Sequence, residues 1–197
     1  MPRDSLFSMS KPPKATWEDL LKLGEDIRAE IIDGEIVEKE ATSARHGLAL
    51  LEIGTAIVGE YGKSGGGRTG GWWFATDCDV ELAPHEVYRP DVVSWRRENM
   101  REVPLEQPIR IRPDWVCEVL SKSNASNDLV KKFRGYHAAR VPHYWIVDPR
   151  EESLVVYRYT PEGYLAVVTA ITGETVRAEP FDALEIRVGE LFGHEAG

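Results

Sequence analysis

The sequence predicts an α/β domain, and three observations carry that prediction. Residues 115–148 read as an apolar strand, a polar stretch that opens a helix, and a second apolar strand. Further upstream, Leu50, Ile53, Ile57 and Tyr61 recur at helical spacing. Asp33-Gly34 separates two short β-type segments, and both residues tolerate the positive φ of a two-residue hairpin turn.

Taken in order, the elements begin at Thr16, which caps a short helix with Glu18 and Asp19 in its first turn and Gly24 beyond its end. Glu30-Ile31-Ile32 and Glu35-Ile36-Val37 then form the hairpin. Ser43 caps a second helix that runs to about Tyr61, with Gly62 as its stop. Gly65-Gly66-Gly67 makes a turn. Gly62-Lys63-Ser64 has the ending of a phosphate-binding loop, but Ile57 stands where its first glycine belongs. Strands are expected at Trp72-Trp73-Phe74, Val80-Glu81-Leu82, Tyr88 to Trp95 and Trp115 to Leu120, the last two apolar enough to be covered on both faces. Arg101 to Arg112 connects them. A third helix is expected from about Asp128 to Ala139, then a strand through Tyr144-Trp145-Ile146-Val147. A hairpin of Leu154 to Tyr159 and Tyr164 to Thr169 turns at Thr160-Pro161-Glu162-Gly163.

The composition fits this outline. The chain has 197 residues, 42% hydrophobic and 29% charged, which is enough to bury a core without staples and argues against disorder. No apolar run approaches the roughly 20 residues of a membrane-spanning helix. The expected organisation is a loose leader over 1–15 and a single domain over 16–197, in a cytoplasmic protein. Cys78 and Cys117 match no metal or redox spacing and read as core residues. A net charge of −9 disfavours indiscriminate nucleic-acid binding. It suits a protein that gathers carboxylates around a divalent cation.

Three ionisable residues stand where an apolar strand or the next helix does not call for them. Asp91 opens Pro90-Asp91-Val92-Val93-Ser94-Trp95, and Glu118 interrupts Trp115-Val116-Cys117-Glu118-Val119-Leu120. An ionised carboxylate in such a strand costs several kcal/mol unless something compensates it. If the two strands are neighbours, these carboxylates converge on a hard cation, Mg²⁺ or Mn²⁺. Lys132 shares a helical stripe with Asp128 and Tyr136, so its ammonium can face the sheet edge and serve a water or a phosphate carrying developing charge.

This arrangement resembles the PD-(D/E)XK nuclease superfamily, and within it the Uma-type family of restriction-endonuclease-like proteins. The resemblance runs from about Thr16 to Phe192. It rests on Glu30-Ile-Ile-Asp-Gly-Glu35, His46, Arg89-Pro90-Asp91-Val-Val93 and Pro113-Asp114-Trp-Val-Cys-Glu118-Val-Leu-Ser121. Asp128-Leu-Val-Lys-Lys132, Tyr136 and Val141-Pro-His-Tyr-Trp-Ile-Val-Asp148-Pro149 complete it. It implies a restriction-endonuclease-like three-layer core: a central mixed sheet flanked by helices, with an N-terminal hairpin and a C-terminal β extension. It also implies a metal-dependent endonuclease hydrolysing DNA phosphodiesters, Asp91 and Glu118 as ligands of Mg²⁺ or Mn²⁺, and a homodimer. The superfamily lysine two residues after the glutamate is absent, since Leu120 stands there; the role maps to Lys132, with Lys131 the second choice.

Plainer roles stand beside these. Asp91 can close a turn, and Lys132 can pair with Asp128 on the surface. Asp114 reads as a strand-entry residue, and Asp79 is either a secondary site candidate or merely solvated. Glu30 either lines the site or accepts a backbone bond; His46 either caps a helix or approaches the scissile phosphate. The other four histidines have no paired zinc spacing. Ser121 lacks a nucleophile elbow and reads as a strand-end residue. Trp72, Trp73 and Trp145 read as core or dimer-contact aromatics. Arg89, Arg96, Arg97, Arg101, Lys122, Lys131 and Arg134 are either a phosphate-attracting surface or a solvated rim. The rival to a nuclease is a non-catalytic oligomeric binding protein that keeps the fold.

Overall fold

The turn at Asp33-Gly34 has φ of 56° and 84°, as the dipeptide requires. It joins β1 (Ala29–Ile32) to β2 (Glu35–Glu38) in an antiparallel hairpin. The computed structural model describes residues 13–24, 26–39, 41–62, 71–121 and 125–195. Most of the expected leader, the Gly65-Gly66-Gly67 turn and Lys122 therefore lie outside the described residues. Ala15, at the end of the expected leader, donates its N–H to Gly34 O at 2.8 Å.

Helix α1 (Trp17–Leu21) starts where Thr16 offers its backbone N–H to the Asp19 carboxylate at 2.9 Å. Helix α2 (Ala44–Tyr61) is capped by Ser43, whose hydroxyl oxygen accepts the His46 N–H. Its apolar positions Ala49, Ile53, Ile57 and Tyr61 are all buried. Gly62 ends it in ordinary right-handed backbone rather than a left-handed cap.

Strands β3 (Trp72–Ala75), β4 (Val80–Ala83), β5 (Glu86–Tyr88), β6 (Val92–Arg96) and β7 (Trp115–Val119) follow. The expected strand over Tyr88–Trp95 is two strands in two sheets. Pro90 has no N–H to give a ladder, and at Arg89-Pro90-Asp91 the chain leaves one sheet and enters the other. The small sheet has the order β2-β1-β5-β4. The large one is β10-β9-β8-β7-β6-β3, with β8 (His143–Asp148), β9 (Ser153–Thr160) and β10 (Gly163–Ile171). Its β7/β8 pair is parallel and its other pairs are antiparallel. The expected third helix spans a π-helical turn, Asn127–Lys132, that runs straight into α3 (Phe133–Ala138). The C-terminal hairpin widens the large sheet, while β11 (Thr175–Val176) and β12 (Ile186–Arg187) form a separate ribbon.

Alternation along β7 sorts its side chains between two layers. Trp115, Cys117 and Val119 pack with α2 and Phe181. Val116 and Leu120 pack with Tyr136 of α3 and with Ile32, Val80 and Tyr88 of the small sheet. The result is a central mixed sheet between helices. Trp72, Phe74, Trp115 and Trp145 ring Phe181, with the Trp115 and Phe181 centroids 5.1 Å apart in edge-to-face contact. Trp72 and Trp145 are thus core residues, as expected. Among the described residues no helix is long and apolar enough to cross a membrane.

Candidate active site

The register of β6 on β7 pairs Val92 with Cys117 and Val93 with Val116. One step further sets Asp91 against Glu118, and facing residues of an antiparallel pair project to the same side. Asp91 sits at the seam where the chain changes sheets, and it is held from three directions. Its Oδ2 accepts the Val119 N–H at 2.9 Å and lies 3.1 Å from His46 Nε2, while Oδ1 lies 3.2 Å from Lys39 Nζ. Burial would raise the Asp91 pKa. The hydrogen bond to His46 and the charge of Lys39 outweigh that and hold it well below the usual carboxylate range.

Glu118 is anchored from the opposite layer. Its Oε1 accepts the Tyr136 hydroxyl at 2.6 Å and lies 2.6 Å from Lys132 Nζ. The same ammonium reaches Glu30 Oε1 at 2.9 Å and Asp128 Oδ1 at 3.2 Å. The π-helical turn puts Asp128 and Lys132 on the inward side, and α3 continues that stripe to Tyr136; all three are buried. Glu30 also accepts the Arg89 N–H at 2.6 Å, which ties the small sheet to the seam.

The charges do not balance. Fully ionised, Glu30, Asp91, Glu118 and Asp128 would supply four negative charges against two positive from Lys39 and Lys132, and none of these side chains is more than 9% exposed. The site adjusts through its protons. Burial pushes Glu118 up to about 8 in spite of Lys132. Burial also raises Asp128. For Lys132, desolvation favours the neutral amine, but Glu118, Glu30 and Asp128 hold it protonated far above the ordinary lysine range.

Lys39, Thr42, His46, Asp91, Glu118, Val119, Ser121 and Asp128 line one cleft. Its free volume of about 10 Å³ is the room of one water-sized sphere. Among the described residues no three His, Cys, Asp or Glu form a metal cage. The donor set still fits a magnesium-type ion, which takes one or two carboxylates and fills its remaining positions with water or phosphate oxygens. Asp91 and Glu118 are two carboxyl groups of that kind, with Asp128 on the same cleft.

Asp91, Glu118 and Lys132 are therefore together, and Glu30 and His46 touch them. Lys132 does pair with Asp128, but in the interior rather than on the surface; Lys131 is half-exposed, and it is Lys132 that reaches the carboxylates. His46 both belongs to the Ser43 cap and turns its ring to Asp91. Asp114 accepts the Arg96 N–H and the Asn99 amide, the strand-entry role expected of it. Asp79 is not solvated: it is buried and makes two bonds to the Arg89 guanidinium. Arg96 and Arg97 lie over Trp72 and Trp73. Lys39 escaped the sequence reading. It lies in the polar run Glu38-Lys39-Glu40, and its partner is 52 residues away.

Comparison with known proteins bears on the family and the fold. The family model Uma2, described as a putative restriction endonuclease, matches residues 17–189. No curated protein matches. Among solved structures, the chain is similar to a putative nuclease belonging to DUF820 from Anabaena variabilis ATCC 29413. The TM-score is 0.72 at 20% identity, over 90% of this chain and 97% of that one. At that identity the likeness is one of fold.

Proposed function

Since the chain belongs to the Uma2 family of putative restriction endonucleases, we propose that it is a metal-dependent endonuclease that hydrolyses phosphodiester bonds in DNA. The observation that carries this reading is the pairing of Asp91 and Glu118 across neighbouring strands, in one cleft lined by three carboxyl groups and one lysine. The two carboxylates would hold Mg²⁺ or Mn²⁺, which when bound supplies Lewis acidity and a water acidic enough to attack phosphorus.

The remaining roles belong to the chain itself. His46 and the Val119 N–H fix the Asp91 carboxylate, and Tyr136 and Lys132 fix that of Glu118. Lys132 is 1% exposed and sits behind Glu118 rather than in the cleft. Held protonated, it is a poor base; it is a positioning residue whose charge steadies Glu118 as negative charge builds on phosphate. Glu30 and Asp128 aim that ammonium. A homodimer would set two such clefts on one duplex.

A second reading, a non-catalytic binding protein with the nuclease fold, is favoured by the three donors that Asp91 already has. Plasmid nicking in Mg²⁺ or Mn²⁺, with and without chelator, separates the two. Nicking is expected to depend on metal and to vanish in Asp91→Asn and Glu118→Gln. Undiminished cleavage by Asp91→Asn would falsify the assignment.

A further inference from the structure

Two lysines meet the carboxylates, and they are placed differently. Lys132 is enclosed behind Glu118 by three carboxylates. Lys39 lines the cleft itself, with Nζ 3.2 Å from Asp91 Oδ1 and 2.7 Å from the Arg89 carbonyl oxygen. Its side chain is 8% exposed. His46 and the Val119 N–H take Asp91 Oδ2, so the ammonium bonds the other carboxylate oxygen. A metal ion that takes Oδ1 meets an ammonium already there, since two cations cannot both sit within about 3 Å of one oxygen without strong repulsion.

We propose that Lys39 is a resident cation of this site, exchanged by the divalent ion: its ammonium holds Asp91 Oδ1 when metal is absent and leaves that oxygen when metal binds. The proposal rests on the reading of Asp91 and Glu118 as metal ligands. Exchange explains how a buried acidic cleft stays folded without metal, because Asp91 is never left unpaired. It also gives the site a threshold, since metal must outcompete a tethered charge. Departure of Lys39 costs the chain little at the Asp91 end, where His46 and the Val119 N–H remain bonded to Oδ2.

Calorimetric titration with Mg²⁺ measures the exchange directly, without substrate. Lys39→Met is expected to bind about tenfold tighter or more, because a competitor has gone. Lys131→Met removes a charge from the neighbouring helix and is expected to change affinity less than about threefold. Equal gains in the two variants would reduce the effect to general charge and overturn the exchange. In the wild-type protein, the side-chain ammonium resonance of Lys39, assigned through its own side-chain carbons, should be lost to water exchange as Mg²⁺ saturates. Its persistence at saturation overturns the proposal even where Lys39→Met does not fold. Tight wild-type binding with no gain in Lys39→Met refutes the exchange and leaves the metal site standing. No binding by either protein removes both.

Discussion

Lys132 Nζ lies 2.6 Å from Glu118 Oε1, and each side chain is about 1% exposed. Lys132 is held protonated among Glu118, Glu30 and Asp128, and removing a buried ammonium leaves the carboxyl groups around it without their mate. Lys132→Met is therefore expected to destabilise the fold by about 3 kcal/mol or more. Denaturant unfolding checks this, and a loss below about 1 kcal/mol would mean that the carboxylates are not held by this ammonium.

The same cluster sets a pH dependence. Folded, Glu118 keeps its proton up to about 8; unfolded, it releases it near 4.5. Between those values the native state binds more protons, so stability should fall as pH rises through the window. Asp91 has the opposite sign: its folded pKa is depressed, so its contribution is present above 3.8 and is lost as pH falls below that value. Urea midpoints at about pH 5 and about pH 8 should differ in the wild-type protein and differ less in Glu118→Gln. An identical slope in the variant would assign the titration elsewhere.

His46 and Lys39 both bond Asp91, yet they should act on metal affinity in opposite directions. His46 orients the carboxylate from the α2 side through Oδ2. Its loss in His46→Ala should weaken Mg²⁺ binding by about 10- to 100-fold, with partial recovery in His46→Gln. Affinity unchanged in His46→Ala would mean that the Val119 N–H suffices to hold Asp91.

Gly135, on α3 one residue before Tyr136, has no room for a side chain. A Cβ there would stand 1.9 Å from the Tyr88 hydroxyl oxygen. Gly135→Ala should cost about 1–3 kcal/mol through overpacking and shift the turn that carries Lys132. Adding Tyr88→Phe should restore part of the stability; a fully neutral Gly135→Ala would show that α3 sits further from the small sheet.

Both cysteines should be inert. Cys117 is fully buried, and burial pushes the Cys78 thiol up to about 11. A disulfide reagent at neutral pH should label neither thiol quickly in the native protein and both after denaturation. Rapid native labelling would place Cys78 on the surface.

Local chemistry explains what was legible in the sequence. Asp33-Gly34 marks its own turn, Ser43 its own cap, and an apolar run interrupted by Glu118 announces a carboxylate in need of a partner. Lys132 was visible because Asp128 and Tyr136 share its stripe. The break at Arg89-Pro90-Asp91 was harder: Pro90 forbids one hydrogen bond, but which sheet each flank joins is decided by pairing with β1 and β7, far along the chain. Lys39 left no trace at all. A lysine between two glutamates reads as solvent-facing, and only long-range folding turns it inward.

Glu30 belongs to the small sheet, Glu118 to the large one, and Lys132 to the turn above them. The ammonium is thus a rivet through three pieces of the molecule. Slackening it would let the sheets part along the line that runs through Asp91, so damage at this single amine would be felt as lost alignment of both jaws before it was felt as lost chemistry.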